Sequence, residues 1–152
     1  MIVKESGLKI QKVIEGSGAK PKKGDVVMIH YTVNLGTGVS SSLYDYEKER
    51  YIDELVDSTY EGPFSGPFKI VVGTEPDIDR LYEEGTSIKG LNEALLDMKE
   101  GSKSRLLIPS DLAYGEEGGS SFKTFHGYRV PPNRCLDMVV EIVEIIKTEE
   151  EL

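Results

Sequence analysis

Residues 87–109 read SIKGLNEALLDMKEGSKSRLLIP, in which a helical pattern passes directly into the pattern of a strand that ends at a proline. Apolar residues in the first part recur at intervals of three and four positions, which predicts a helix over residues 87–101 with one apolar stripe. The stripe consists of Ile88, Leu91, Leu95 and Met98. We expect Ser87 to cap the helix N-terminus and Gly101 to stand at its end. Such a helix needs one apolar surface on which to pack.

Alternation of apolar and polar residues predicts that surface. Segments with this period place their apolar side chains on one face, as half-buried strands do. They are LKIQKVI (8–14), VVMIHYTV (26–33), GPFKIVVG (66–73), SKSRLLIP (102–109) and CLDMVVEIVEIIK (135–147). One helix with one stripe and several strands with one apolar face together predict an α+β fold, in which an antiparallel sheet is folded over the helix.

Three further segments are expected to be enlarged loops. They comprise residues 36–55, 74–87 and 116–129. The first contains LYDYEKERYIDEL (43–55), which we expect to form a short helix.

The composition excludes several classes of protein. A length of 152 residues suits a single domain over residues 1–152, with a flexible N-terminus and a flexible acidic tail, KTEEEL (147–152). The net charge of −9, with scattered Lys and Arg, disfavours nucleic acid and anionic membranes as partners. No apolar run approaches the roughly 20 residues that span a bilayer, and no secretory signal is visible. The single cysteine, Cys135, is typical of a reducing compartment, so we expect a cytoplasmic monomer.

Motifs for metal, cofactor or covalent chemistry are missing from the sequence. The two histidines, His30 and His126, have no Cys or His at ligand spacing, so no metal site or cofactor is expected. We expect His30 to be a polar residue on the outer face of its strand, and Cys135 to be a structural thiol. The glycine-rich PSDLAYGEEGG (109–119) is no phosphate site, because its glutamates would repel the anion and no helix start follows.

Several segments, taken in order, resemble FKBP-type peptidyl-prolyl isomerases. They are GDVVMIHYTVNL, VDST, GPFKIVVG, IKGLNEALLDMKEGSKSRLLIPSDLAYG and VPPNRCLDMVVEIVEI. The resemblance covers roughly residues 8–147 and implies an antiparallel sheet of five to six strands wrapped around one short helix. It also implies catalysed rotation of X–Pro bonds in unfolded or partner proteins, through desolvation and positioning in an apolar pocket. The implied partners are proline-containing polypeptides and macrolides of the rapamycin and tacrolimus type.

The resemblance assigns roles position by position. Asp57 would face the twisting amide, Tyr114 would donate its hydroxyl from the rim of the pocket, and the backbone N–H of Ile88 would hold a substrate carbonyl. The implied catalytic residues are Tyr31, Asp57 and Tyr114, and the implied substrate-binding residues are Phe68, Val56, Ile70, Ile88, Leu91, Val130 and Met138. Leu91 stands where many members of the family carry a tryptophan, and this chain has none.

Two alternatives stay open at this stage. Phe68, Leu91 and Met138 would be core residues in any such fold, Tyr31 could be a core tyrosine, and Asp57 could be a turn residue. The chain could accordingly be a catalyst, or a non-catalytic FKBP-like module that binds a protein partner through its enlarged loops.

Overall fold

The computed structural model describes residues 1–35, 43–45, 50–52, 55–60, 66–74, 87–120, 129–130 and 132–146. Its elements, in chain order, are β1 (Ile2–Val3), β2 (Lys9–Ile14), β3 (Val26–Leu35), β4 (Leu43–Asp45), β5 (Arg50–Ile52), β6 (Leu55–Ser58), β7 (Phe68–Val71), α1 (Lys89–Leu95), β8 (Lys103–Ile108), β9 (Gly119–Ser120), β10 (Arg129–Val130) and β11 (Leu136–Ile146). Among the residues described, no helix is long and apolar enough to cross a membrane.

The main sheet is antiparallel and follows the order β1-β2-β8-β11-β3. Two strands share the edge of β3 that faces away from β11. β7 pairs with Val26–Ile29, and β6 pairs with the later part of β3 at Thr32–Asn34. The sheet therefore has six strand positions, with β1 contributing only a two-residue extension of one edge. The predicted antiparallel sheet around one helix is confirmed.

Alternation along the strands determines which side chains enter the core. In β3, every second residue is buried, and the intervening ones are half-buried on the opposite face. The buried set consists of Val27, Ile29, Tyr31, Val33 and Leu35. The long ladder between β3 and β11 runs from Leu35↔Leu136 to Val26↔Ile146 and aligns the buried residues of the two strands at the centre of the sheet.

The helix α1 packs its apolar stripe onto this face, but it is shorter than its sequence pattern predicts. It ends at Leu95, because the amides of Asp97 and Met98 bond to carbonyls only three residues earlier, which tightens the last turn. Met98 still reaches the core at 2% exposure. The expected end at Gly101 is wrong: this residue, at φ 81°, lies in the turn before β8.

The expected N-cap at Ser87 is also wrong. The capping position is Ile88, which has no side-chain oxygen to accept a hydrogen bond from the first turn. Ser87 lies one residue too early to reach those amides. Its hydroxyl is fully buried and has no hydrogen-bond partner among the described residues.

The helix expected within residues 43–55 is a third correction. The described backbone forms two antiparallel strands, β4 and β5, in which Tyr44 lies opposite Tyr51 and Leu43 opposite Ile52. Strand pairing is a nonlocal interaction, and such interactions override the helix propensity of a local segment. Much of the predicted loops 36–55, 74–87 and 116–129, and the tail 147–152, lies outside the described residues.

Replacement of Gly90 by alanine tests the contact between α1 and β8. A Cβ atom at Gly90 would lie 2.5 Å from Cγ2 of the fully buried Ile108 and 3.3 Å from the Leu112 carbonyl oxygen. Alanine ordinarily favours a helix by about 1 kcal/mol over glycine, but this overpacking should lower the free energy of unfolding by about 1–3 kcal/mol. Urea unfolding measures the change. The exposed Lys89→Ala serves as a control and should stay within about 0.5 kcal/mol of the wild type; a stabilised Gly90→Ala would contradict this packing.

Candidate functional site

Two aromatic rings meet on the inner face of the sheet. Tyr31 comes from the middle of β3 and Phe68 from the start of β7, which the register sets opposite Ile29. The ring centroids are 6.0 Å apart at an interplanar angle of 88°, the edge-to-face arrangement that aromatic quadrupoles favour. Both side chains are at most 1% exposed. The strand pairing therefore brings together two residues that lie far apart in the sequence.

Aliphatic side chains from four other places in the chain join these rings in one apolar cluster. Each is fully buried: Ile70 from β7, Ile88 before α1, Leu91 from α1 and Met138 from β11. The four residues are predicted substrate-binding positions, and the structure places them in the same hydrophobic cluster as Tyr31 and Phe68. Burial of this kind agrees with the lining of an apolar site and equally with a structural core, so it does not by itself assign a role.

The sequence predicts Tyr114 as a hydroxyl donor on the rim of the pocket, and its side chain is buried. It is 4% exposed and belongs to the core cluster. Backbone hydrogen bonds close the loop around it. The Gly115 amide bonds to the Ser110 carbonyl at 2.7 Å, and the Gly118 amide bonds to the Tyr114 carbonyl at 3.2 Å. The Asn133 amide also bonds to Gly115 at 2.8 Å, which ties this loop to the segment before β11.

For three predicted site residues, the structure describes the strand and not the side chain. Val56 and Asp57 lie in β6, where the register sets Asp57 opposite Val33 beside an irregularity in the pairing. Val130 ends the two-residue strand β10, which pairs with β9. The side chains of these residues lie outside the described part of the structure. The backbone nevertheless brings Asp57 to the strand next to the one that carries Tyr31.

Thr59 is a buried polar residue of the site that sequence reasoning missed. It directly follows β6, is fully buried, and donates its backbone N–H to the Tyr31 carbonyl at 3.0 Å. Its hydroxyl accepts the Tyr31 N–H at 2.9 Å. The VDST motif predicts Val56 and Asp57 as site residues but gives Thr59 no role, although a threonine next to a strand is a usual partner of backbone amides.

The outer face of β3 carries a second aromatic pair. As expected, His30 lies on the face opposite Tyr31, and its ring stacks on Tyr60 with centroids 4.7 Å apart and an interplanar angle of 19°. Desolvation first, and the nearby Glu141 carboxylate second, raise the pKa of the Tyr60 hydroxyl above its ordinary value. On the same sheet, Arg105 forms a two-bond ion pair with Asp137, at 3.0 and 2.7 Å.

The described residues contain no group of three or more His, Cys, Asp or Glu side chains that could hold a metal ion. Cys135 is a free, half-buried thiol before β11, and His126 lies outside the described residues. The inner face carries a mainly aliphatic cluster around the Tyr31 and Phe68 rings, next to the backbone of β3 and β6.

Comparison with known proteins gives a single family. Residues 17–143 match the family model described as FKBP-type peptidyl-prolyl cis-trans isomerase. The peptidyl-prolyl cis-trans isomerase FKBP2 of Mus musculus is 32% identical over 143 residues, which cover 93% of this chain and 76% of that protein. The FK506-binding protein 1A of Emericella nidulans is 30% identical over 140 residues, with coverages of 91% and 98%.

A solved structure supports the same fold. The N-terminal domain of FKBP42 from Arabidopsis thaliana superposes with a TM-score of 0.66 at 24% identity. The match covers 97% of this chain and 91% of that one. At this identity the likeness shows the shared fold alone.

Replacement of Glu141 by glutamine tests the electrostatics of the outer face. A raised pKa means that folding favours the neutral phenol, so its contribution to stability is present below about pH 10 and is lost as the pH rises through the higher folded value. Glu141→Gln should lower the pKa of Tyr60 yet leave it raised, because desolvation is the larger cause. An NMR titration of the Tyr60 ring carbon measures it. Glu144→Gln, an exposed change on the same strand, is the control; equal shifts in both variants would contradict the assignment.

Proposed function

This chain belongs to the FKBP-type peptidyl-prolyl cis-trans isomerase family, and we propose that it accelerates X–Pro rotation in unfolded or partner proteins without a covalent intermediate. The observation that carries this mechanism is the apolar cluster around the edge-to-face pair of Tyr31 and Phe68. The cluster includes buried apolar side chains from β3, β7, α1 and β11. Such a surface suits a proline ring and needs neither metal nor nucleophile.

The energetics of the peptide bond explain why an apolar site is sufficient. Rotation meets a barrier of about 18–20 kcal/mol, whereas cis and trans X–Pro forms differ by only about 0.5–1 kcal/mol. The planar amide is stabilised by charge-separated resonance, which disappears as the bond twists. A water-poor environment therefore favours the less polar twisted form over the planar one. Preferential stabilisation of that form lowers the barrier.

Individual residues take the following roles in the proposal. Phe68 and Tyr31 contact the proline ring, with Val56, Ile70, Leu91, Val130 and Met138 completing the apolar lining. The backbone N–H of Ile88, which precedes α1 in an extended conformation, holds a carbonyl that flanks the proline. Asp57 faces the twisting amide. The Tyr114 hydroxyl donates to a substrate carbonyl, from a position inside the site and not from an exposed rim, since its side chain is 4% exposed.

The aliphatic residues distinguish this site from the aromatic pattern of the family. Leu91 replaces the tryptophan that many members carry, and Val56, Ile70 and Met138 stand at positions that are often aromatic. Aliphatic side chains lack the flat, rigid faces of aromatic rings, so the proposed site has a different shape. We accordingly include macrolides of the rapamycin and tacrolimus type as ligands and expect them to bind weakly. A monomeric state and a cytoplasmic location complete the proposal.

Exchange spectroscopy on a short X–Pro peptide tests the function. Catalytic amounts of the protein should increase the cis–trans exchange rate, because the isomer populations are nearly equal and only the barrier changes. NMR exchange peaks between the two proline isomers measure the rate directly. An exchange rate that stays at its spontaneous value in the presence of folded protein would overturn the proposal. That result would favour the alternative, an FKBP-like module that binds protein partners through its enlarged loops.

Two substitutions test the assigned polar groups. Tyr114→Phe and Asp57→Val should each lower kcat/KM by about 2- to 10-fold, the equivalent of one lost hydrogen bond. Circular dichroism should remain that of the wild type. Tyr60→Phe removes a hydroxyl from the half-exposed outer face and is the matched control, with unchanged activity. Loss of folding in Tyr114→Phe would instead assign this residue to the structural core.

A further inference from the structure

Thr59 contacts the backbone of β3 at Tyr31 and the neighbouring His30 side chain on the outer face. His30 and Tyr31 are consecutive residues, so their side chains point to opposite sides of the sheet. The Thr59 hydroxyl oxygen lies 2.9 Å from the Tyr31 backbone nitrogen and 2.9 Å from His30 Nδ1. A single buried hydroxyl thus connects the outer histidine with the strand position that carries the inner tyrosine.

The Thr59 hydroxyl has one proton to donate, and three polar atoms lie close to its oxygen: Tyr31 N, Tyr31 O and His30 Nδ1. One lone pair accepts the Tyr31 N–H, so a second contact must use the proton or the other lone pair. The Tyr31 carbonyl lies 3.3 Å from the hydroxyl and already accepts the Thr59 backbone N–H at 3.0 Å. His30 Nδ1, at 2.9 Å, is the closer partner. In either tautomer of the imidazole, Nδ1 is thus a second close partner of the hydroxyl that receives the Tyr31 amide.

His30 is itself held in place by its surroundings. Its ring stacks on Tyr60, the residue that follows Thr59, with centroids 4.7 Å apart. Across the sheet, the register sets it opposite Glu141 of β11. Imidazole orientation is thus determined by packing on one side and by the Thr59 contact at Nδ1. The stack and the hydrogen bond both fasten residues 59–60 to β3.

The position of Asp57 depends on these contacts of residues 59–60 with β3. β6 is only four residues long, and its pairing with β3 is irregular between Val33 and Asn34. On the other side of Asp57, the chain is anchored by the bonds of Thr59, including the Gly66 amide that donates to its carbonyl at 2.8 Å. Together with the pairs Val33↔Asp57 and Thr32↔Ser58, the Thr59 contacts hold the chain against β3 on the C-terminal side of the proposed catalytic carboxylate.

We propose that Thr59, and His30 acting through it, are positioning residues of the isomerase site: the hydrogen-bonded junction holds the segment with Asp57 against the backbone of Tyr31. The inference rests on the proposed function. Neither residue contacts the substrate. Small displacements of a positioned group reduce the rate steeply, so loss of the junction lowers turnover even when the fold persists.

Paired substitutions separate the effect of the Thr59 hydroxyl from that of the side-chain volume. They also separate the effect of His30 Nδ1 from that of the ring stack. Thr59→Val keeps the shape and removes the hydroxyl, and should lower kcat/KM by about 10-fold, whereas Thr59→Ser restores it to within about 2-fold. His30→Phe keeps a ring on Tyr60 but removes Nδ1, and His30→Asn keeps a polar atom near the Nδ1 position but loses the ring. His30→Phe should lower kcat/KM by about 3-fold and His30→Asn should retain it. The double variant Thr59→Val, His30→Phe should lose no more than Thr59→Val alone, because both act through one hydroxyl.

A core variant controls for general destabilisation. Ile10→Val removes one methylene from a fully buried residue of β2, away from the junction, and should reduce the unfolding midpoint without changing kcat/KM at temperatures where it is folded. A folded Thr59→Val with wild-type kcat/KM would overturn the proposal, as would an equal loss of activity in Ile10→Val. If Thr59→Val fails to fold, the comparison of His30→Phe with His30→Asn decides: equal activity overturns it.

A readout independent of activity distinguishes failure of this inference from failure of the proposed function. The Tyr31 N–H donates to the Thr59 hydroxyl, so its hydrogen-exchange protection factor, corrected for the preceding residue, should fall in His30→Phe and stay near the wild-type value in His30→Asn. If His30→Phe loses this protection but the wild-type protein is inactive, the isomerase assignment and the positioning role are overturned, while the junction itself stands. If the wild type is active and His30→Phe keeps full protection of the Tyr31 amide, the junction alone is overturned.

Discussion

The ladder between β3 and β11 is the interaction on which the rest of the molecule depends. It is the longest strand pairing described, from Leu35↔Leu136 to Val26↔Ile146, and each strand has a second neighbour: β8 beside β11, and β6 and β7 beside β3. Because both strands alternate in phase, one face of the sheet becomes apolar and α1 packs there. A slip of one residue would exchange the two faces and place Tyr31 in solvent.

The same packing that stabilises the fold creates the conditions for the proposed chemistry. Each buried side chain of the Tyr31 and Phe68 cluster contributes about 1.5–3 kcal/mol when it leaves water, and the region that results is the low-polarity environment that a twisting amide favours. In the proposed function the site is a specialised part of the core, which agrees with the deep burial of Tyr31, Phe68 and Leu91.

The periodic elements could be predicted, and the elements set by nonlocal pairing could not. The strands around Tyr31 and Leu106 and the stripe through Leu91 follow from apolar spacing, which is a local property. The pairing of β4 with β5 overrode a helical composition, and Ser87 missed the capping position by one residue. Tyr114 is predicted on a rim because its neighbours are Ala and Gly; its side chain is 4% exposed, within a loop closed by backbone bonds from Gly115 to Ser110 and from Asn133 to Gly115.

The sequence by itself determined the class of fold, the apolar faces and the family, because these depend on residue type and spacing along one chain. Only the tertiary structure decided which buried polar groups meet. His30 and Thr59 are separated by 29 positions, and their contact exists because β6 and β7 share one edge of β3 and return the chain to Tyr31. A hydrogen bond requires atoms within about 3 Å, a condition that three-dimensional packing sets and spacing along the chain does not encode.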